Sequence, residues 1–382
     1  MLDNMLDKIL LLKNKNKSIL DYSITYQKNC VNINDSRFIC IASETYRMLS
    51  YIYSAHSSIL LPGNSTYAME AIVREFTIGK KILVINHGYF SHRWCEIIKY
   101  TDNNSNLQVL KASILYKDKY PNVIPVEFTT IESKIKEFKP DIVFMSHVEP
   151  SNGLMISKSY IKKISCMIHR YNGLLCLDST NSGLNIPKLS ELDIDILVTV
   201  PEKGWNSIPG LGIILLNKQT NYLVKQRNKD TSSFSFDLRK WLSIANNYLN
   251  NISIYNHLLP TECIIKLNNN LKFFLEKDIN KYNRYSEVLC KKMIHLLNKR
   301  GYITVVLPEN QAYNIIVVYD YNGRFISQLD AIGIKVSGHI PWKLDEGSHI
   351  STFRIGLFSY DKIENMDKTI KNFNIPSIIG KI

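Results

Sequence analysis

The sequence lacks long apolar runs, and this absence bears on where the protein works. No run approaches the roughly 20 apolar residues that a membrane-spanning helix needs, although 45% of the 382 residues are hydrophobic. The start also lacks the pattern of a signal peptide, because Asp3 and Asp7 stand where such a peptide carries positive charge. We therefore expect a soluble, cytoplasmic protein with no membrane partner, whose apolar residues form a sizeable core.

Cysteines are also few. The seven cysteines are scattered, odd in number and without the closely spaced pairs of a metal site. Such spacing fits a reducing compartment better than a disulfide framework. We expect no bound metal.

Acidic residues are outnumbered, but the positive charge is not concentrated anywhere. The formal net charge is +13 at pH 7, yet Lys and Arg are spread along the chain and none of the usual nucleic-acid motifs is present. Basic patches rather than net charge are diagnostic of nucleic-acid binding. We expect no nucleic-acid partner, and the surplus charge can help to recruit anionic substrates and cofactors.

What the sequence does contain is a pair of apolar runs that end near an acid and a lysine. Residues 174–177 run into Asp178, and residues 194–200 end just before Lys203. Apolar runs without alternation are typical of parallel strands buried on both faces, and the segment between them is about long enough for a crossover. If the two strands are parallel neighbours, both polar residues lie at the carboxyl edge of the sheet, where ligands bind.

An Asp and a Lys at that edge suit pyridoxal 5'-phosphate (PLP). The Lys carries the cofactor as a Schiff base, and the carboxylate keeps the pyridinium nitrogen protonated, so that the ring acts as an electron sink. Each residue alone has an ordinary alternative, since Asp178 can be a turn or helix cap and Lys203 a solvated loop residue. The whole stretch is more specific than its parts.

This stretch resembles the class V aminotransferases of PLP fold type I. The family's Asp with its Ser-rich turn is similar to DSTNSG at 178–183, and its Lys turn and returning strand are similar to EKGW at 202–205 and PGLG at 209–212. The motifs are most similar to those of the alanine–glyoxylate and serine–pyruvate aminotransferases, with the 2-aminoethylphosphonate–pyruvate transaminases near by. The resemblance implies PLP as cofactor, a homodimer, and an α/β fold with a mainly parallel sheet in a large domain and a smaller C-terminal α+β domain.

A loop of small polar residues precedes a predicted helix at residues 67–73. The loop, PGNST at 62–66, follows an apolar run, and such a loop presents free backbone N–H groups at the positive end of the helix dipole. An ordinary helix cap is the alternative. The resemblance to the family's phosphate loop implies that Asn64, Ser65 and Thr66 hold the cofactor phosphate, with Ser65 in place of a Gly.

Two further predicted strands, at residues 81–85 and 141–145, end in family-like segments. The first is followed by NHGYFSHRW, whose likeness to the family's Asn-Gly-x-aromatic-Gly-x-Arg implies that Phe90 stacks on the cofactor; core packing is the alternative. The second is followed by HVEPSNG, and the family's hydroxyls there imply that Ser151 touches the cofactor, although Pro150 replaces the first of them.

His147 and Glu149 in that segment also invite a metal or acid–base interpretation. No third ligand with suitable spacing accompanies them. We therefore give them no site role.

Two segments of the C-terminal half complete the resemblance. Residues 255–261 are similar to a family segment that reaches the neighbouring subunit's phosphate, which implies that role for Tyr255, whereas Leu258 replaces a Thr. Residues 351–357 predict a strand in which Arg354 lies opposite the apolar residues. A surface charge is the common reading, and the resemblance implies a bidentate pair with the substrate carboxylate.

Glu202 departs from the family, in which many members have Gln before the Lys. A carboxylate beside a phosphate is repelled unless it turns away or is protonated, because neighbouring like charges raise pKa values. The cysteine desulfurases of this fold type have His at this position, so Glu202 also argues against a desulfurase.

From these patterns we predict three regions: an N-terminal segment at 1–40, a large PLP-binding domain at 41–277 and a small domain at 278–382. Other predicted elements are helices at 44–54, 160–171, 238–250, 279–299 and 324–332, and strands at 302–307 and 313–319.

The expected activity is transfer of an amino group from a small amino acid to a 2-oxo acid of the glyoxylate or pyruvate type, with Lys203 and Asp178 as catalytic residues. Two alternatives stay open. One is another PLP reaction on the same scaffold, either 2-aminoethylphosphonate–pyruvate transamination or a biosynthetic lyase step. The other is a catalytically silent scaffold or nucleic-acid binder that keeps the fold.

Overall fold

A seven-stranded sheet lies at the centre of the protein. The structure is a computed structural model that describes residues 31–116, 119–227, 233–252, 258–321, 323–331, 333, 335–347 and 349–373. In chain order its strands are β1 (Ser57–Gly63), β2 (Lys81–Asn86), β3 (Asn106–Lys111), β4 (Ser113–Leu115), β5 (Asn122–Ile124), β6 (Ile142–Ser146), β7 (Val148–Glu149), β8 (Leu154–Met155), β9 (Leu174–Asp178), β10 (Ile196–Thr199), β11 (Gly210–Leu216), β12 (Ile315–Tyr319) and β13 (Thr352–Gly356).

Helices cover the sheet and build the C-terminal part. They are α1 (Ser36–Ile52), α2 (Ser65–Phe76), α3 (Tyr89–Thr101), α4 (Phe128–Phe138), α5 (Lys158–His169), α6 (Leu189–Leu192), α7 (Pro201–Gly204), α8 (Lys218–Gln226), α9 (Leu238–Leu249), α10 (Thr261–Glu276), α11 (Ile279–Asn298), α12 (Arg324–Ala331), α13 (Tyr360–Glu364) and α14 (Met366–Phe373).

The central sheet is mainly parallel, as predicted. Its order is β1-β11-β10-β9-β6-β2-β3, and only β11 runs antiparallel to its neighbours β1 and β10. The predicted neighbours β9 and β10 pair in parallel, with Val198 opposite Asp178. All residues of β6, β9 and β10 are buried, which explains their continuous apolar sequences.

Helix α5 shows how the covering helices form. Ser157 caps it by accepting a hydrogen bond from the backbone N–H of Tyr160 at 3.2 Å. Ile161, Ile164 and Ile168 recur at helical spacing and are fully buried. This apolar face packs against β9, so the periodicity places the strand that ends at Asp178.

The C-terminal part pairs β12 with β13 in an antiparallel ladder. The predicted strand at 302–307 is wrong, because this segment divides its backbone hydrogen bonds between two partners. Val305 donates to the carbonyl of Val317 at 3.0 Å and accepts from the N–H of Val123 at 3.1 Å. Only isolated bridges result. The predicted domain boundary at 277–278 coincides with the junction between α10 and α11, and the division into domains stays a prediction.

Within the described residues, no helix combines the length and apolar character needed to cross a membrane.

Candidate functional site

A cavity of about 330 Å³ lies where the carboxyl edge of the sheet meets the C-terminal part. The side chains that line it come from β1–α2, α3, the turn after β9, α7 and β13. Seven residues singled out in the sequence are among them: Asn64, Ser65, Thr66, Phe90, Asp178, Lys203 and Arg354. The fold thus gathers these residues around one space, while their individual roles stay predictions.

The loop before α2 forms one wall. Asn64 caps the helix, and its side chain accepts a hydrogen bond from the N–H of Thr66 at 2.9 Å. The loop lies directly against β11, where a Cβ on Gly212 would stand only 2.7 Å from the carbonyl oxygen of Asn64. A glycine in β11 therefore lets the start of α2 reach the cavity, and a helix start of this kind is a ready anion site.

Arg93 on α3 is a cavity residue that the sequence reasoning did not select. Its Nη1 donates to Oγ1 of Thr66 at 3.1 Å, and its guanidinium carbon is 5.1 Å from the centre of the Phe90 ring. Among the described residues no carboxylate lies within ion-pair distance of it. The signal was present, because Arg93 ends the motif that contains Phe90.

Glu149 positions Phe90 through the backbone. Its carboxylate is almost fully buried and accepts hydrogen bonds from the N–H groups of Phe90 at 3.2 Å and Ser91 at 2.9 Å, and from the Ser91 hydroxyl at 2.6 Å. A carboxylate at a helix start is stabilised by the free N–H groups and the helix dipole. Glu149 thus fixes the first turn of α3 and, with it, the position of the Phe90 ring in the cavity wall.

Ser151 does not reach the cavity. Its hydroxyl donates to Oε1 of Glu149 at 2.7 Å and accepts from the N–H of Tyr89 at 3.1 Å, and the residue is fully buried. Pro150 lines the cavity instead. The hydroxyl is committed to Glu149 and the Tyr89 N–H, and the expected contact between Ser151 and the cofactor stays a prediction.

The side chains of Glu149 and Ser151 pack closely against Gly88. A Cβ on Gly88 would stand 2.4 Å from the Ser151 hydroxyl and 2.6 Å from Cγ of Glu149. Only a glycine allows the chain to pass here.

Asp178 ends β9 and lines the cavity with little solvent exposure. Burial raises the pKa of its carboxyl group, and the hydrogen bond from Thr180, at 2.8 Å to Oδ1, opposes this shift. Within the described chain no cation lies at ion-pair distance from Asp178. A buried acid without a cation is suited to a ligand that brings positive charge.

His147 supports the turn that follows Asp178. Its backbone N–H donates to the carbonyl of Asp178 at 2.9 Å, and its Nδ1 lies 2.7 Å from the Ser182 hydroxyl. Burial lowers the pKa of His147 to about 3, so the ring is neutral at physiological pH. Both interactions hold the turn that follows Asp178.

Lys203 and Glu202 come from the single turn α7. The Nζ of Lys203 is 5.1 Å from the centre of the Phe358 ring, and no carboxylate of the described chain pairs with it. Glu202 also lines the cavity; burial raises the pKa of its carboxyl group, and its Oε2 is buried without a hydrogen-bond partner among the described residues.

Arg354 lies on β13 between the buried residues Phe353 and Ile355, and points to the other face as predicted. Its backbone N–H donates a hydrogen bond to the carbonyl of Ser337 at 2.8 Å. Burial lowers the pKa of the guanidinium group, and its Nε is buried with no partner in the described part of the chain. The predicted phosphate residue Tyr255 lies outside the described residues.

Several proteins of known activity are similar to this chain in sequence. No model of a known protein family matches the chain. Rat alanine–glyoxylate aminotransferase is 23% identical over 339 residues, which are 86% of this chain and 77% of the rat protein. A bifunctional phosphonoacetaldehyde hydrolase/aminoethylphosphonate transaminase of Clostridioides difficile is 28% identical over 313 residues, which are 79% of this chain and 45% of that protein.

Solved structures show the same fold. The alanine–glyoxylate aminotransferase of a Nostoc species superposes with a TM-score of 0.76 at 16% identity, over 92% of this chain and 89% of that one. A subgroup IV aspartate aminotransferase of Thermus thermophilus gives 0.74 at 17% identity, over 92% of both chains. The chain is therefore similar in sequence to aminotransferases and similar in fold to solved aminotransferase structures. As in these aminotransferases, its fold is that of the PLP enzymes of fold type I, which confirms the predicted fold class.

The cavity residues fit PLP in their chemistry. The α2 start and Arg93 suit a phosphate, the uncompensated acid Asp178 suits a protonated ring nitrogen, and the unpaired amine of Lys203 suits an aldehyde. Arg93, Asp178 and Lys203 each lack an oppositely charged partner among the residues that the structure describes.

Proposed function

We propose that this protein is a PLP-dependent aminotransferase that moves an amino group from a small amino acid to a 2-oxo acid of the glyoxylate or pyruvate type. The observation that carries the proposal is the set of unpaired charges around one cavity. Asp178 has no cationic partner, and Lys203 and Arg354 have no acidic partner, among the residues that the structure describes. Asp178 is buried, and Lys203 and Arg354 are half-buried. Charges withdrawn from water are costly unless they are paired, so a ligand that completes all three pairs explains their presence.

When bound, PLP supplies an aldehyde that reacts with amines and a ring that stores electrons. Lys203 would hold the cofactor through Nζ and, once released, would move a proton to and from the substrate as a general base and acid. The carboxylate of Asp178 would keep a proton on the ring nitrogen. Phe90 would stack against the ring, held in position by Glu149.

The remaining residues orient the two anionic groups. Asn64, Ser65 and Thr66 would bind the phosphate through the helix start, with Arg93 as a nearby cation. Arg354 would bind the substrate carboxylate in a bidentate pair. The guanidinium group of Arg354 is itself partly withdrawn from water, which strengthens such a pair.

A second candidate is a transaminase that takes the amino group from 2-aminoethylphosphonate. The relative with aminoethylphosphonate transaminase activity in its name is 28% identical, more than the rat aminotransferase at 23%. The two candidates differ in the amino donor and share the cavity residues.

The deciding experiment traps the cofactor on the protein. Purified protein is incubated with PLP, reduced with borohydride and analysed by peptide mass mapping. We expect the added mass on Lys203, and we expect Lys203→Ala to show neither the trapped mass nor turnover. Lys136→Ala, at a surface lysine paired with Glu132, is the control and should trap the cofactor like the unmodified protein.

Turnover is then measured with alanine, serine and 2-aminoethylphosphonate as donors, and with pyruvate and glyoxylate as acceptors. Consumption of an oxo acid with any donor supports transamination, and the preferred donor separates the two candidates. A lyase would consume the amine without an acceptor. Trapping on another lysine, or full activity in Lys203→Ala, would refute the assignment.

We further propose a cytoplasmic homodimer. The scattered cysteines support a reducing compartment, and the family resemblance supports a dimer in which Tyr255 contacts the phosphate in the neighbouring subunit. Sedimentation analysis would test the dimer.

A further inference from the structure

Glu202 is a charged residue of the cavity wall that has no role in the proposed aminotransferase function. It shares the cavity with the phosphate loop, which includes Ser65 and Thr66. Its Oε2 is buried and has no hydrogen-bond partner among the described residues. A buried, unpartnered carboxyl oxygen in a binding cavity calls for a ligand that completes it.

The charged groups around Glu202 do not neutralise it. The other charged residues of the cavity wall are Arg93, Asp178, Lys203 and Arg354. Of these, only Lys203 on the same turn favours ionisation of Glu202, whereas burial disfavours it more strongly. No ion pair joins Glu202 to any cation of the described chain.

A phosphate in this cavity would add negative charge close to Glu202. Glu202 lines the same cavity as the phosphate loop, and buried or partly buried charges are screened by salt much less than exposed ones. An ionised Glu202 would repel the phosphate, whereas a neutral carboxyl group could donate an O–H hydrogen bond to a phosphate oxygen. Only the neutral form is compatible with tight binding.

We propose that Glu202 binds the cofactor phosphate as a neutral carboxyl donor, so that cofactor binding is coupled to protonation of Glu202. The inference rests on the proposed function, since it assumes that PLP occupies this cavity. The cofactor should bind tightly at low pH and more weakly as the pH rises through the titration of Glu202. The slope should approach a tenfold loss of affinity per pH unit.

The test measures the dissociation constant of PLP across pH for the unmodified protein and for Glu202→Gln. The amide donates the same hydrogen bond at every pH, so the variant should bind PLP more tightly at high pH and should lose this part of the slope. The ionisations of PLP and of Lys203 are common to both proteins and cancel in the comparison. Glu202→Asp, which keeps a carboxyl group, should keep a pH dependence.

Two controls isolate the phosphate and the position. Pyridoxal lacks the phosphate, so its pH profile should be the same for the unmodified protein and Glu202→Gln. Glu137→Gln changes an exposed glutamate on α4 and should follow the unmodified protein. Calorimetry in buffers of different ionisation enthalpy should show about one proton fewer taken up with PLP by Glu202→Gln.

Identical pH slopes for the unmodified protein and Glu202→Gln would overturn the inference. If PLP is still trapped on Lys203 in that case, the proposed function stands and only the role of Glu202 fails. If no PLP binds at any pH, both fail. A Glu202→Gln protein that melts like the unmodified one but binds PLP more weakly at all pH values also excludes the proposal.

Discussion

Two buried aspartates on neighbouring strands show how differently the two edges of the sheet are built. At the amino edge, Asp195 precedes β10 and accepts hydrogen bonds from the Leu175 N–H at 2.7 Å and from Asn217 Nδ2 at 2.6 Å, and its Oδ2 is 2.8 Å from Nε2 of His169. At the carboxyl edge, Asp178 ends β9, and within the described chain its side-chain carboxylate accepts a hydrogen bond only from Thr180.

The two carboxylates differ in how many partners the protein gives them. Both acids are at most 6% exposed, so burial does not distinguish them. The number of hydrogen-bond and ion-pair partners distinguishes the two carboxylates. A carboxylate with all its partners stabilises the fold, whereas one without them carries a free-energy cost that a bound ligand can relieve. Replacing each acid with its amide tests whether the two carboxylates differ in this way.

The largest expected effect is that of Asp178→Asn on turnover. An amide cannot hold the ring nitrogen of PLP in its protonated form, and we expect turnover to fall by at least about a hundredfold, as when other preorganised electrostatic groups are removed. Trapping of PLP on Lys203 should persist. Steady-state turnover and peptide mass mapping measure the two quantities.

The same variant should not lose stability before cofactor is added. Burial raises the pKa of Asp178 in the folded protein, so its ionisation opposes folding at every pH above the unfolded value near 3.9. Replacing it with Asn removes this cost at neutral pH. A cofactor-free Asp178→Asn protein that melts well below the unmodified protein would contradict the inference that ionised Asp178 opposes folding.

Asp195→Asn should lower the stability of the protein and leave its turnover unchanged. The amide keeps one acceptor oxygen but turns a donor group toward the other donors around it, and we expect a loss of about 2 kcal/mol in the free energy of unfolding. Turnover per folded molecule should not change, because Asp195 lies at the edge opposite the cavity. Urea denaturation and activity assays on the same preparation test both statements. A large loss of turnover with intact stability would show that the two edges are coupled.

The sequence was sufficient for those features that depend on local patterns. Continuous apolar runs predicted β9 and β10, and their parallel pairing was enough to place Asp178 at the carboxyl edge and Lys203 just beyond it. Alternation around Arg354 predicted which face of β13 it occupies. These signals concern one or two neighbouring segments.

Features that depend on a third segment could not be predicted. Glu149 acts on Phe90 because β7 meets the start of α3, and no spacing between the two motifs reveals this contact. Ser151 is drawn into the same cluster, away from the cavity. Residues 302–307 have a strand-like composition, but their hydrogen bonds go to two different partners. Tertiary context decides each case.

The smallest expected effect concerns His169, the partner of Asp195. The hydrogen bond to Asp195 raises the pKa of His169, so protonated His169 stabilises the folded protein. This contribution is complete below the unfolded pKa near 6.5 and is lost as the pH rises through the folded value. Because the side chain is about a third exposed, the loss in His169→Gln should be at most about 1 kcal/mol at low pH.

The unfolding free energies of the two proteins should therefore converge as the pH rises, and denaturant titrations on either side of neutrality measure the difference. The variant tests the amino edge alone, since His169 has no contact with the cavity residues. A difference that grows with pH would mean that neutral His169 already stabilises Asp195. The amino edge would then be held together by a neutral hydrogen-bond network rather than by an ion pair.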